Sequence, residues 1–84
     1  MKIYLMTINY SGWEDPEANG CVVHVFDSEE KAVEYMNKAV KEEIEEEKEY
    51  GREFYENARY PKYVSIVSQN SEYVEFEVGE REVM

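Results

Sequence analysis

Apolar and polar positions alternate with a period of two in several stretches of this chain and recur at helical spacing in another. Residues 2–10 (KIYLMTINY) put Ile3, Leu5 and Thr7 on one side and Tyr4, Met6, Ile8 and Tyr10 on the other. Both sides are largely apolar, which predicts a central strand rather than an edge one. The next ten residues, SGWEDPEANG, gather Gly, Pro, Asn, Asp and Ser and read as a loop with a turn near Asn19-Gly20. CVVHVF at 21–26 is a second short strand, and an antiparallel hairpin with the first is its simplest pairing. Near the other terminus, KYVSIVS (62–68) alternates Tyr63, Ser65 and Val67 with Val64 and Ile66. After the turn residues Gln69, Asn70 and Ser71, EYVEFEV (72–78) sends Val74, Phe76 and Val78 one way and Tyr73, Glu75 and Glu77 the other, the signature of a half-buried strand. Gly79 is expected to end it, leaving 79–84 as a frayed tail.

Between these pairs lies a helix. Asp27 is the expected N-cap, with Glu30 reaching back as a capping box, and Glu29 and Glu30 suit the positive end of the dipole. Ala32, Val33, Met36, Ala39, Val40 and Ile44 recur at spacings of three and four, one apolar stripe on a helix from about 28 to 50. Gly51 costs on the order of 1 kcal/mol inside a helix, so the helix is expected to end near it, with a short further turn over 52–57 before Pro61. The order strand, strand, helix, strand, strand predicts a single α+β domain, ββαββ, with one helix packed on a four-stranded, mostly antiparallel sheet. One helix covers one face. The other must meet solvent, a second copy or a partner, and Tyr4, Met6, Ile8 and Tyr10 are assigned to that uncovered face.

Charge changes the picture. The 84 residues carry 20 Asp+Glu against 9 Lys+Arg, a net charge of -11. Such a chain cannot hold a phosphate backbone through cations, and anionic lipid would repel it. An aromatic content of 14% nevertheless argues for a folded core rather than acidic disorder. The N-terminus lacks a signal-peptide pattern, no run is long enough to span a bilayer, and Cys21 has no internal disulfide partner, all of which predict a soluble protein of a reducing cytoplasm. Catalytic and metal chemistry find little material. Cys21 and His24, one of each in the chain, fall on opposite faces of a strand, and the four glycines are scattered singly. No enzyme activity, cofactor or metal site is expected.

The acidic residues remain. Glu42–Glu46, Glu43–Glu47 and Glu49–Glu53 set like charges four apart, opposing one another by a few tenths of a kcal/mol per pair. They also crowd the helix end where the dipole prefers cations. An excess placed against stability suggests an interface for a basic partner. The candidate residues are Glu42, Glu43, Glu45, Glu46, Glu49 and Glu53, with Glu14 and Asp15 of the loop, and Trp13 and Tyr50 as aromatic anchors, the alternative for Trp13 being to fold back over the sheet edge. Tyr55, Tyr60, Tyr63 and Tyr73 interleave with Glu and either join such a patch or close the core rim with a wet hydroxyl.

With VFDSEEKAVEYM leading into EEIEEEKEYGREFYE, the acidic, Tyr-rich chain resembles the small orphan proteins of phages and mobile elements. It is similar in style to acidic anti-CRISPR inhibitors that occupy a nuclease's nucleic-acid channel. The resemblance lies in composition and layout and implies a non-enzymatic inhibitor, acting in a host cytoplasm. The partner would be a basic nucleic-acid-binding protein such as a CRISPR effector, bound in place of its nucleic acid. The alternative is a structural or regulatory interaction module, a homodimer among its forms, whose acidity serves only solubility. A small-ligand binder ranks last, because the cationic groups that would capture a phosphate are missing.

Overall fold

The computed structural model describes residues 1–83. Its elements run β1 (Lys2–Ser11), a one-turn 3-10 helix (Pro16–Ala18), β2 (Gly20–Phe26), α1 (Glu29–Glu49), β3 (Phe54–Tyr60), β4 (Tyr63–Ser68) and β5 (Tyr73–Glu82). The strands form one antiparallel sheet in the order β2-β1-β5-β4-β3. The α+β class, the single helix and the β1–β2 hairpin agree with the sequence. The strand count does not: the described residues form five strands rather than four.

The extra strand is β3, where a short helical turn was expected. Its alternation is hidden in FYENARY because a bulge between Glu56 and Ala58 interrupts the register with β4. One extra residue resets the period of two, so no continuous apolar face can be read along the strand. As an edge strand it also needs only one large buried anchor, Phe54.

The predicted frayed tail is corrected as well. β5 continues through Gly79 to Glu82, pairing with Lys2–Leu5 of β1. Its charged side chains are tolerated because the ladder is backbone-made, and Lys2–Glu80 (3.9 Å) and the N-terminal amine–Glu82 (3.5 Å) bridge across it. Met84, the last residue of that tail, lies outside the described residues.

Ser28, not Asp27, caps α1: its Oγ accepts from the Lys31 N–H at 3.2 Å. Asp27 instead pairs with the Lys31 ammonium at 3.1 Å. The helix stops at Gly51 as the sequence predicts. The Arg52 N–H donates to the Glu47 carbonyl (2.9 Å) and the Gly51 N–H to that of Lys48 (3.0 Å), with Gly51 at φ 84°. This is a Schellman closure, which needs a residue with φ > 0.

Ala32, Met36 and Val40 of α1 bury against Met6 and Ile8 of β1, Val64 and Ile66 of β4, and Val74, Phe76 and Val78 of β5. The face assigned to β1 is therefore reversed: Met6 and Ile8 are buried, and Tyr4 and Tyr10 pack beside them. Both sides of β1 are apolar, so its own pattern could not choose. Register chose, setting Met6 opposite Val78 and Ile8 opposite Phe76. The open face carries Ile3 and Leu5 of β1 with Cys21, Val23 and Val25 of β2 at one side, and Tyr63, Tyr73 and Glu75 at the other. Among the described residues, no helix is long and apolar enough to cross a membrane.

Candidate partner-binding site

Three connections meet at one end of the sheet: the β1–β2 loop, the α1–β3 link and the β4–β5 turn. Residues 12–19, 42–53 and 69–72, which build this end, hold eleven carboxylates against Lys48 and Arg52, so nine of the net eleven negative charges gather there. The opposite end is nearly balanced, with Lys31–Asp27, Lys62–Glu29 and Lys2–Glu80 pairs. The molecule has an acidic pole.

Helix periodicity sorts the glutamates of the pole into two stripes. Glu43 and Glu47 continue the line of Met36 and Val40 and turn toward the sheet; both are half-buried. Glu42, Glu45, Glu46 and Glu49 lie on the opposite, exposed side. Glu42 is 3.9 Å from Lys38. Among the described residues, no salt bridge reaches Glu14, Asp15, Glu45, Glu46, Glu49 or Glu53. Asp15 has a local task, accepting from the Glu17 N–H at 3.0 Å to cap the 3-10 turn. Glu53 accepts from the Tyr55 hydroxyl at 3.2 Å. Tyr50 is the helix C-cap and is 72% exposed, which leaves its ring free for contact.

Glu43 bears the electrostatic strain of this packing. Burial raises its carboxyl above the ordinary value, Glu47 and Glu46 raise it further, and a hydrogen bond with Tyr10 opposes them. The Tyr10 hydroxyl is pushed up to about 12, first by burial and then by Glu43, Glu46 and Glu47. On the open face, Tyr63 donates to Glu75, and that bond, followed by one with Tyr73, raises the Tyr63 hydroxyl as well.

Trp13 is not a free anchor. Its ring stacks on Phe54 (5.9 Å between centroids) and meets Tyr10 edge-on (6.4 Å). Asn19 holds it there, accepting from the Trp13 N–H at 3.0 Å and donating to its carbonyl at 3.2 Å. The indole Nε1 is buried with no hydrogen-bond partner among the described residues. Arg52, which sequence reasoning passed over, lies 5.4 Å above the Trp13 ring. It reaches Glu47 at 3.1 Å and Glu72 at 3.5 Å. Glu72 is buried and accepts from the Ser68 hydroxyl at 2.9 Å. Loop, helix end and β4–β5 turn are thus tied through one guanidinium. A lone arginine after the helix-stopping glycine of an acidic run was the available signal.

Of the ten predicted residues, the fold brings Glu42, Glu45, Glu46, Glu49, Tyr50, Glu53, Glu14 and Asp15 to one exposed pole. Glu43 and Trp13 turn inward. Cys21 and His24 lie on opposite faces of β2, the His24 ring tilted at 47° against Tyr35 with 4.9 Å between centroids. Among the described residues, no three of His, Cys, Asp or Glu are grouped as metal ligands. No protein-family model, curated protein or solved structure matches this chain.

Proposed function

We propose that this is a non-enzymatic acidic protein whose pole occupies the basic nucleic-acid-binding site of another protein, competing with the nucleic acid. One observation carries this: the stripe Glu45, Glu46 and Glu49, exposed and without a cation, sits at a helix end where both the dipole and mutual repulsion oppose it. Glutamates three and four apart lie roughly 5–6 Å from one another, a spacing of charge close to that along a phosphate backbone. Long-range attraction toward a cationic groove would speed encounter and exclude the nucleic acid itself. The likeness in layout to anti-CRISPR inhibitors makes the guide or DNA channel of a CRISPR effector the first target to try.

The test is competition for a labelled oligonucleotide held by such a basic protein. The wild-type chain should displace it at about 50 mM salt and lose most of that capacity at about 500 mM, where screening is nearly complete. A variant with Glu45→Lys, Glu46→Lys and Glu49→Lys should keep its circular dichroism spectrum and fail to compete. Equal competition by the reversed variant would sink the proposal.

A further inference from the structure

The two edges of the sheet are treated differently. β3 is blunted: it carries the bulge at Glu56/Ala58, the charges Glu56 and Arg59, and an anchor from Arg59 to Asn37 of α1 at 2.8 Å. These are the usual devices against edge-to-edge pairing. β2, GCVVHVF, has none of them. It contains no Lys, Arg, Asp, Glu or Pro and no register shift against β1, and Val22, Val23 and Val25 stand 44%, 51% and 62% exposed. An uncharged seven-residue edge rich in β-branched residues is a template for another strand.

We infer that the occupant is β2 of a second copy, paired antiparallel about a two-fold axis at Val23 to make a continuous ten-stranded sheet. Val23 is the middle residue of the strand, so this register pairs all seven positions and sets Val25 against the partner's Cys21. Charge selects the antiparallel arrangement. β2 runs from the acidic pole at Gly20 to the nearly neutral end at Phe26, so the two-fold sends the two poles to opposite ends of the joined sheet. Two bodies of net charge -11 then meet along their least charged border. The open faces of both copies lie on one side of the sheet, because paired residues share a face. Ile3, Leu5, Val23 and Val25 of each copy then join in one apolar strip across the seam. A seven-residue ladder buries less than the roughly 1,200 Å² of a stable interface, so the dimer is a transient one. This inference rests on the β2 edge and stands or falls apart from the acidic-pole reading.

Sedimentation equilibrium of the full chain, from micromolar to about 1 mM, should show the weight-average mass rising from 10.0 kDa toward twice that value. Val23→Lys, a charge at the middle of the edge, should abolish the rise while leaving the circular dichroism spectrum unchanged. A second variant covers a misfolded Lys substitution: the double variant Cys21→Ser, Val23→Cys moves the thiol onto the two-fold axis. It should cross-link to a disulfide dimer under mild oxidation several-fold faster than the wild-type chain does through Cys21. Three results would each overturn the inference. They are a wild-type monomer at about 1 mM, a dimer indifferent to Val23→Lys, and a wild-type chain that cross-links faster than the double variant.

Discussion

Arg52 shows how one residue can hold an overcharged end together. It lies beside Glu47 and Glu72, whose side chains are 15% and 11% exposed, and it covers the indole face of Trp13. Removing it leaves two poorly solvated carboxylates without a counter-charge, which is costlier than the pair itself is worth. Because the arginine is 42% exposed, the full penalty of a buried pair must be discounted for screening. Arg52→Ala should destabilise the chain by about 2 kcal/mol, and Arg52→Lys by an intermediate amount, since an ammonium cannot fork to both carboxylates. Urea unfolding followed by the fluorescence of Trp13 measures both. A loss below about 0.5 kcal/mol for Arg52→Ala would mean that neither the ion pairs nor the cover over Trp13 holds this end together. The sequence showed only a lone arginine after Gly51 of an acidic run; which groups it ties together was not legible there. Glu47 is five residues from Arg52, whereas Glu72 and Trp13 reach it only through the sheet.

At the level of elements, local chemistry specified the helix better than the strands. Ser28 opens it, the stripe Ala32, Met36 and Val40 faces the sheet, and Gly51 closes it, all within a few residues of the expected bounds. Gly51 stands at φ 84° with open space where a Cβ would go, so the cost of a side chain there is backbone strain rather than collision. Gly51→Ala should lower stability by about 1 kcal/mol, a fall of roughly 4–8 °C in Tm for a domain of this size, with Gly51→Asn milder. Thermal denaturation decides it; an unchanged Tm would mean that the Schellman closure contributes nothing. The strands were harder. β4 and the first part of β5 follow their alternation, but β3 lost its pattern to the bulge, and the far end of β5 is held by pairing with β1 rather than by apolar residues.

The whole molecule is electrically lopsided, and its acid response follows. Glu43 is raised by burial first and by Glu47 and Glu46 next, so the folded chain holds this proton more tightly than the unfolded one. Between the ordinary value of 4.5 and the raised one, stability falls as pH rises; above both, the penalty for an ionised Glu43 is fully present. Below 4.5 both states are protonated and the penalty is gone. Glu43→Gln keeps an acceptor for Tyr10 and should therefore gain roughly 0.5 kcal/mol at pH 7, an advantage that shrinks as the pH is lowered to about 4.5. Urea titrations at the two pH values would reject this if the variant's advantage were constant or of opposite sign.

Periodicity, one glycine and a run of like charge were enough to specify the α+β class, the helix with its stop, the β1–β2 hairpin and the acidity of residues 42–49. Each of these is written within a few neighbouring residues. Which side of β1 is buried, that residues 54–60 form a strand, that Glu43 and Trp13 turn inward, and that loop and helix charges share one pole were settled only when the chain closed on itself. Those outcomes depend on register and on contacts between distant segments. A local pattern with two apolar sides, or one broken by a bulge, is compatible with more than one of them.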